Sequence, residues 1–140
     1  MNKMQMLTPW HGLLILGVLL GGGGLVQAGE TPLEGRWAYV FEPAHCTETR
    51  IYQPGGAARI NSGAEQEVLR FELAPTPDAH GFQRLTETVT GSNGQPGCDG
   101  KVDQVGEVHA RFALIHPAQH MMVLCEAADM RTCVGPYRQM

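Results

Sequence analysis

The chain predicts an all-β domain of about eight antiparallel strands, folded as a small up-and-down barrel or a closely related sandwich. Three observations carry this. Apolar residues recur with a period of two rather than 3.6, the pattern of strands that bury one face. Turn-forming clusters punctuate these runs at short intervals: Gln53-Pro54-Gly55-Gly56, Pro75-Thr76-Pro77-Asp78, Gly91-Ser92-Asn93-Gly94 and His116-Pro117-Ala118. The four cysteines form an even set in a short chain, as in small domains stapled by disulfides.

The strands are expected near 36–42, 47–53, 57–62, 66–73, 81–90, 105–115, 120–126 and 131–138. In the first, Trp37, Tyr39 and Phe41 alternate with Arg36, Ala38 and Val40. Leu69, Phe71 and Leu73 alternate with Arg70 and Glu72, and Val108, Ala110, Phe112 and Leu114 alternate with His109, Arg111 and Ala113. Residues 62–69 have some helical potential but are too few to carry a helical fold. Closing such strands into a barrel removes the exposed edges on which β-domains aggregate. Eight strands enclose an interior just wide enough for side chains or one small ligand.

The N-terminal residues read as an export signal. Lys3 precedes the apolar run Leu13–Leu20, four glycines break it, and Val26-Gln27-Ala28 presents small residues for cleavage after Ala28. A membrane span needs about 20 apolar residues, and Leu13 to Val26 is shorter and interrupted. The expected organisation is a signal peptide over 1–28 and a single domain over 29–140, with no membrane anchor after cleavage and a periplasmic or secreted location. Losing Lys3 leaves nine basic against fourteen acidic side chains, a formal charge of −5. Lys101 is then the only lysine, and without a cationic stripe neither nucleic acid nor an anionic membrane is an expected partner. Three pairings of Cys46, Cys98, Cys125 and Cys133 are open. The seven residues between Cys125 and Cys133 suit a hairpin loop, which favours that pair and leaves Cys46 with Cys98.

Leu33-Glu34-Gly35-Arg36-Trp37 resembles the Gly-x-Trp opening of lipocalin-like (calycin) barrels, and Thr49–Ser62 resembles a hairpin of bacterial lipocalin-like proteins. The resemblance implies that Trp37 closes one end of a barrel and that a late arginine, Arg131 or Arg138, packs across it. The same opening occurs in small secreted barrels that inhibit proteases, so it bears on fold more than on ligand.

Candidate chemistry is sparse. His116, His120, Met121 and Met122 supply imidazole and thioether groups of the kind that bind copper, but without a repeated spacing. The cysteines lack a Cys-x-x-Cys pair for zinc. Ser62 and Ser92 lie in turns outside any nucleophile motif, and no phosphate or dinucleotide loop is present. The acid pairs Glu65/Glu67 and Asp99/Asp103 read as solvated surface, and residues 93–103 have too few carboxylates for a calcium loop. No enzyme activity, cofactor or metal is therefore expected. The expected function is non-enzymatic binding of a small apolar or amphipathic molecule, with Trp37, Tyr39, Phe41 and Phe112 as ligand-binding residues. The 91–100 loop would form part of the rim. The alternatives are a secreted inhibitor or envelope protein-interaction module presenting a loop and, more weakly, copper handling by His116, His120 and Met122.

Overall fold

The computed structural model describes residues 31–140; the expected signal segment, 1–28, lies outside the described residues. Eight strands follow one another: β1 (Gly35–Phe41), β2 (Cys46–Tyr52), β3 (Ala57–Ser62), β4 (Glu65–Leu73), β5 (Phe82–Ser92), β6 (Val108–His116), β7 (Met121–Cys125) and β8 (Cys133–Gln139). Each pairs antiparallel with the next, and β1 pairs with β8 through Trp37 opposite Gln139 and Ala38 opposite Arg138. The sheet is thus a closed barrel. The choice between barrel and sandwich is resolved in favour of the barrel.

The period-two pattern sets which side chains enter it. Trp37, Tyr52, Ala58, Ile60, Leu69, Phe71, Leu85, Val89, Ala113, Met122, Leu124 and Tyr137 form the core, with Leu33 from the segment before β1. The Trp37 indole N–H donates to the Leu33 carbonyl at 2.8 Å, which satisfies the one polar atom of a fully buried ring. This apolar end also carries the turns at 53–56, 74–81 and 117–120. Arg138 is exposed and occupies the outward row opposite Ala38, while Arg131 sits in the β7–β8 loop at the other end. Neither takes the place across Trp37 that the lipocalin-like resemblance implied. The cation–π contact among the described residues is Arg50 over the Tyr137 ring, at 5.6 Å.

The opposite end is built differently. Four connections meet there, at 42–45, 63–64, 93–107 and 126–132. Both disulfides brace this end. Cys46–Cys98 fastens the start of β2 to the long β5–β6 loop, and Cys125–Cys133 closes the mouth of the β7–β8 hairpin. Gly63 opens the two-residue turn between β3 and β4 at φ +61°, the position that favours glycine in a tight hairpin. Two disulfides point to an oxidising, extracytoplasmic environment, and no helix among the described residues is long and apolar enough to cross a membrane.

Candidate functional site

The inward rows change character halfway along the barrel. In β2 the buried side chains are Glu48, Arg50 and Tyr52; in β4, Glu65 and Glu67 precede Leu69 and Phe71; in β5, Glu87 lies between Leu85 and Val89. Arg50 is the hub. Its guanidinium donates to Glu48 and to both Glu87 oxygens, at 3.1 and 3.3 Å. Tyr52 donates its hydroxyl to Glu87 at 2.7 Å, and Tyr137 and Ser62 donate to Glu48 at 2.6 and 2.9 Å. Burial alone would raise the Glu48 carboxyl, but Arg50 and the bonds from Tyr137 and Ser62 outweigh it and hold the group below its usual range. Burial and the neighbouring Glu87 carboxylate push the Tyr52 phenol far up, so it acts here as a hydrogen-bond donor.

The 93–107 loop folds over this polar end. The Cys98 N–H donates to Ser62 Oγ at 3.0 Å, Ser92 Oγ donates to the Asp103 carbonyl at 2.9 Å, and Asn93 binds the Gln66 N–H and the Ala64 carbonyl. Gly97 lies so close to Glu65 that a Cβ there would stand 3.1 Å from a carboxylate oxygen. Beside the loop opens a cavity of about 410 Å³. Arg50, Glu48 and Tyr137 form part of its lining, Lys101, Arg111, Asp99, Glu126 and Arg131 supply charge, and Phe41, Leu124 and Val134 supply apolar surface. A smaller cavity of about 30 Å³ lies deeper, among Glu48, Glu65, Glu67, Glu87, Asp103 and His109.

Around that inner cavity, carboxylate oxygens of Glu65, Glu67 and Asp103 approach within 4.8 Å of one another, as do ligand atoms of Asp103, Glu107 and His109. Among the described residues, these are the groups whose spacing would admit a metal ion. Burial first, then the adjacent Glu67 and Asp103 charges, pushes the Glu65 carboxyl up to about 7, and burial followed by Asp103 does the same to Glu67. Between pH 4.5 and about 7 the folded barrel therefore holds protons on these groups that the unfolded chain has released. Stability from this source is present below 4.5 and is lost as pH rises to about 7. Glu48 works the other way, its contribution fading as pH falls below 4.5. Urea unfolding with a chelator present is expected to give a higher midpoint at pH 5 than at pH 8, and Glu67→Gln should flatten the difference. A wild-type midpoint that climbs from pH 5 to pH 8 would contradict the assignment.

Of the residues singled out in the sequence, Trp37, Tyr39 and Phe41 share the inward face of β1. Trp37 is sealed in the base, Tyr39 packs on Tyr137 and Phe41 with ring centroids 5.3 and 4.8 Å away, and Phe41 reaches the 410 Å³ cavity. Phe112 is not brought together with them. It pairs with Arg84 and Cys125 and belongs to the β6 row of Val108 and Ala110, whereas buried Ala113 marks the inward row. The copper candidates also separate: Met122 is sealed in the core, His116 is exposed, and exposed His120 lies 3.2 Å from Gln139 through Nδ1. Glu65 and Glu67 are a correction. They are 6% and 4% exposed rather than solvated, because β4 starts at Glu65 and carries its inward parity back from Phe71 and Leu69. Sequence reasoning missed the whole charged row, Glu48, Arg50, Glu87, His109 and Arg111; parity with Tyr52, Leu85 and Val89 would have found the first three, but not His109 and Arg111, whose strand carries its apolar row outward.

Fold and site together define a closed eight-stranded antiparallel barrel with an apolar base, a charged interior above it and a disulfide-braced mouth. Comparison with protein-family models, curated proteins and solved structures finds no match to this chain.

Proposed function

We propose that the protein is an exported, periplasmic or secreted, non-enzymatic binding protein of lipocalin-like type that holds a small amphipathic molecule at its mouth. The observation that carries this reading is the 410 Å³ cavity, a volume within the usual range for small-molecule sites. Its lining is split. Phe41, Leu124 and Val134 offer an apolar wall, while Lys101 and Arg111 offer cationic groups to an anionic head, beside Asp99 and Glu126; Arg131 is already paired with Asp129 at 2.9 Å. Below it, the Arg50 network and the packed core leave no room for a long hydrocarbon tail, which favours an amphipathic ligand over a wholly apolar one. The protein-interaction alternative draws on Val102, Val105 and Val108, which are exposed around the same loop.

The test is thermal unfolding against a panel of small amphipathic carboxylates. A ligand at 100 times its dissociation constant stabilises by about 2.7 kcal/mol, which for a domain of this size raises Tm by roughly 10 °C. Lys101→Glu and Phe41→Ala should each reduce the shift. If no member of the panel moves Tm at millimolar concentration, small-molecule binding fails and the exposed valines become the surface to pursue.

A further inference from the structure

We infer that Glu65, Glu67 and Asp103 form a binding site for one divalent cation held by oxygen ligands, which joins strand β4 to the loop over the barrel mouth. The site goes beyond the amphipathic-ligand reading and stands without it. Glu65 and Glu67 are two residues apart on one strand, so both carboxylates point inward from the same face. Asp103 arrives from the 93–107 loop, whose Asp103 carbonyl is tied to Ser92 and whose Cys98 is tied to β2. One oxygen from each of the three lies within 4.8 Å of the others. Two oxygens bound to a calcium ion at about 2.4 Å can be no more than about 4.8 Å apart, so this spacing accommodates such an ion.

A second observation, separate from the clustering, concerns Glu67, which lines the inner cavity. Glu67 Oε1 is buried and has no hydrogen-bond partner in the protein, although the residue is only 4% exposed. A buried carboxylate oxygen normally has a donor or a cation. The nearby guanidinium groups are directed elsewhere: Arg50 is bonded to Glu48 and Glu87, and Arg111 lies 3.6 Å from Glu87. The inner cavity bordered by Glu65, Glu67 and Asp103 measures about 30 Å³, enough for an ion with one or two waters, since a single water needs about 10–15 Å³. Three carboxylates make a hard, all-oxygen donor set, which favours calcium, magnesium or manganese over copper or zinc. His109 Nε2 stands 3.1 Å from Asp103 Oδ2 but makes no hydrogen bond to it, so a second buried polar atom beside the cluster lacks a partner in the protein.

The experiment uses the exported, disulfide-bonded protein after chelator treatment and dialysis. CaCl2, MgCl2 and MnCl2 are titrated separately by calorimetry, and Tm is recorded with and without each salt. The expected result is one ion per chain for at least one of the three, a higher Tm with that salt, and binding at least ten-fold weaker in both Glu67→Gln and Asp103→Asn. Glu67→Gln should melt no lower than wild type in chelator, which separates loss of the site from loss of the fold; should either variant fail to fold, the other decides. No binding of any of the three salts at millimolar concentration overturns the inference, as does wild-type affinity in the folded variants. Failure here leaves the mouth cavity untouched, and an amphipathic ligand that shifts Tm in chelator would still stand.

Discussion

Arg50→Ala is expected to destabilise the folded protein by about 3–5 kcal/mol, the range for removing one partner of a buried ion pair. Arg50 is 4% exposed and is the cation between Glu48 and Glu87, which are 6% and 1% exposed. Without it, two desolvated carboxylates keep only the hydroxyls of Ser62, Tyr52 and Tyr137, with Arg111 3.6 Å from Glu87. A small domain has about 5–15 kcal/mol of stability in all, so this single change should bring it close to unfolding. Urea denaturation measures the loss. The companion variant with Arg50→Met, Glu48→Gln and Glu87→Gln together should recover much of it, because the penalty lies in the stranded charges rather than in the missing guanidinium. A loss below about 1 kcal/mol for Arg50→Ala would mean that the network is open to water.

The double substitution Cys46→Ala with Cys98→Ala is expected to be nearly as damaging. Its bridge spans 52 residues, and closing a loop of that length is worth about 4 kcal/mol in the chain-entropy model. The Cys125–Cys133 bridge spans 8 residues and is worth about 2.5 kcal/mol by the same relation. Removing the first should therefore lower Tm more than removing the second. The first removal should also carry a functional signature, because it frees the loop that brings Asp99 and Lys101 to the mouth cavity and Asp103 to the inner one. Unfolding curves and ligand titrations on the two double variants separate the effects. Equal losses, or a larger loss from the short bridge, would place the stabilising closure elsewhere.

The β-architecture was legible because most strands carry their pattern openly. Trp37, Tyr39 and Phe41 announce β1, and Leu69, Phe71 and Leu73 announce β4. The polar end was hidden because the usual correspondence, apolar inward and charged outward, is inverted there. In β2 the inward row reads Glu48, Arg50, Tyr52, which resembles a solvated strand until Arg50 is seen to neutralise its neighbours across the barrel. In β6 the more apolar row, Val108, Ala110 and Phe112, faces outward, while His109 and Arg111 face the interior. Hydropathy alone selects the wrong face for that strand. Partner register corrects it, since Leu85 and Glu87 stand opposite Arg111 and His109. Glu65 and Glu67 were misread for a related reason: a carboxylate pair is ordinarily solvated, and only the strand's earlier start places both inside.

We propose above that the braced, charged mouth holds a small molecule. Native mass spectrometry of the disulfide-bonded protein, purified gently from the cells that make it, tests this. The expected spectrum is the disulfide-bonded chain with an added mass on the order of a few hundred daltons, suited to a cavity of about 410 Å³, and Lys101→Glu should lose that mass. A wild-type spectrum showing only the bare disulfide-bonded chain, with or without a metal ion, would contradict it.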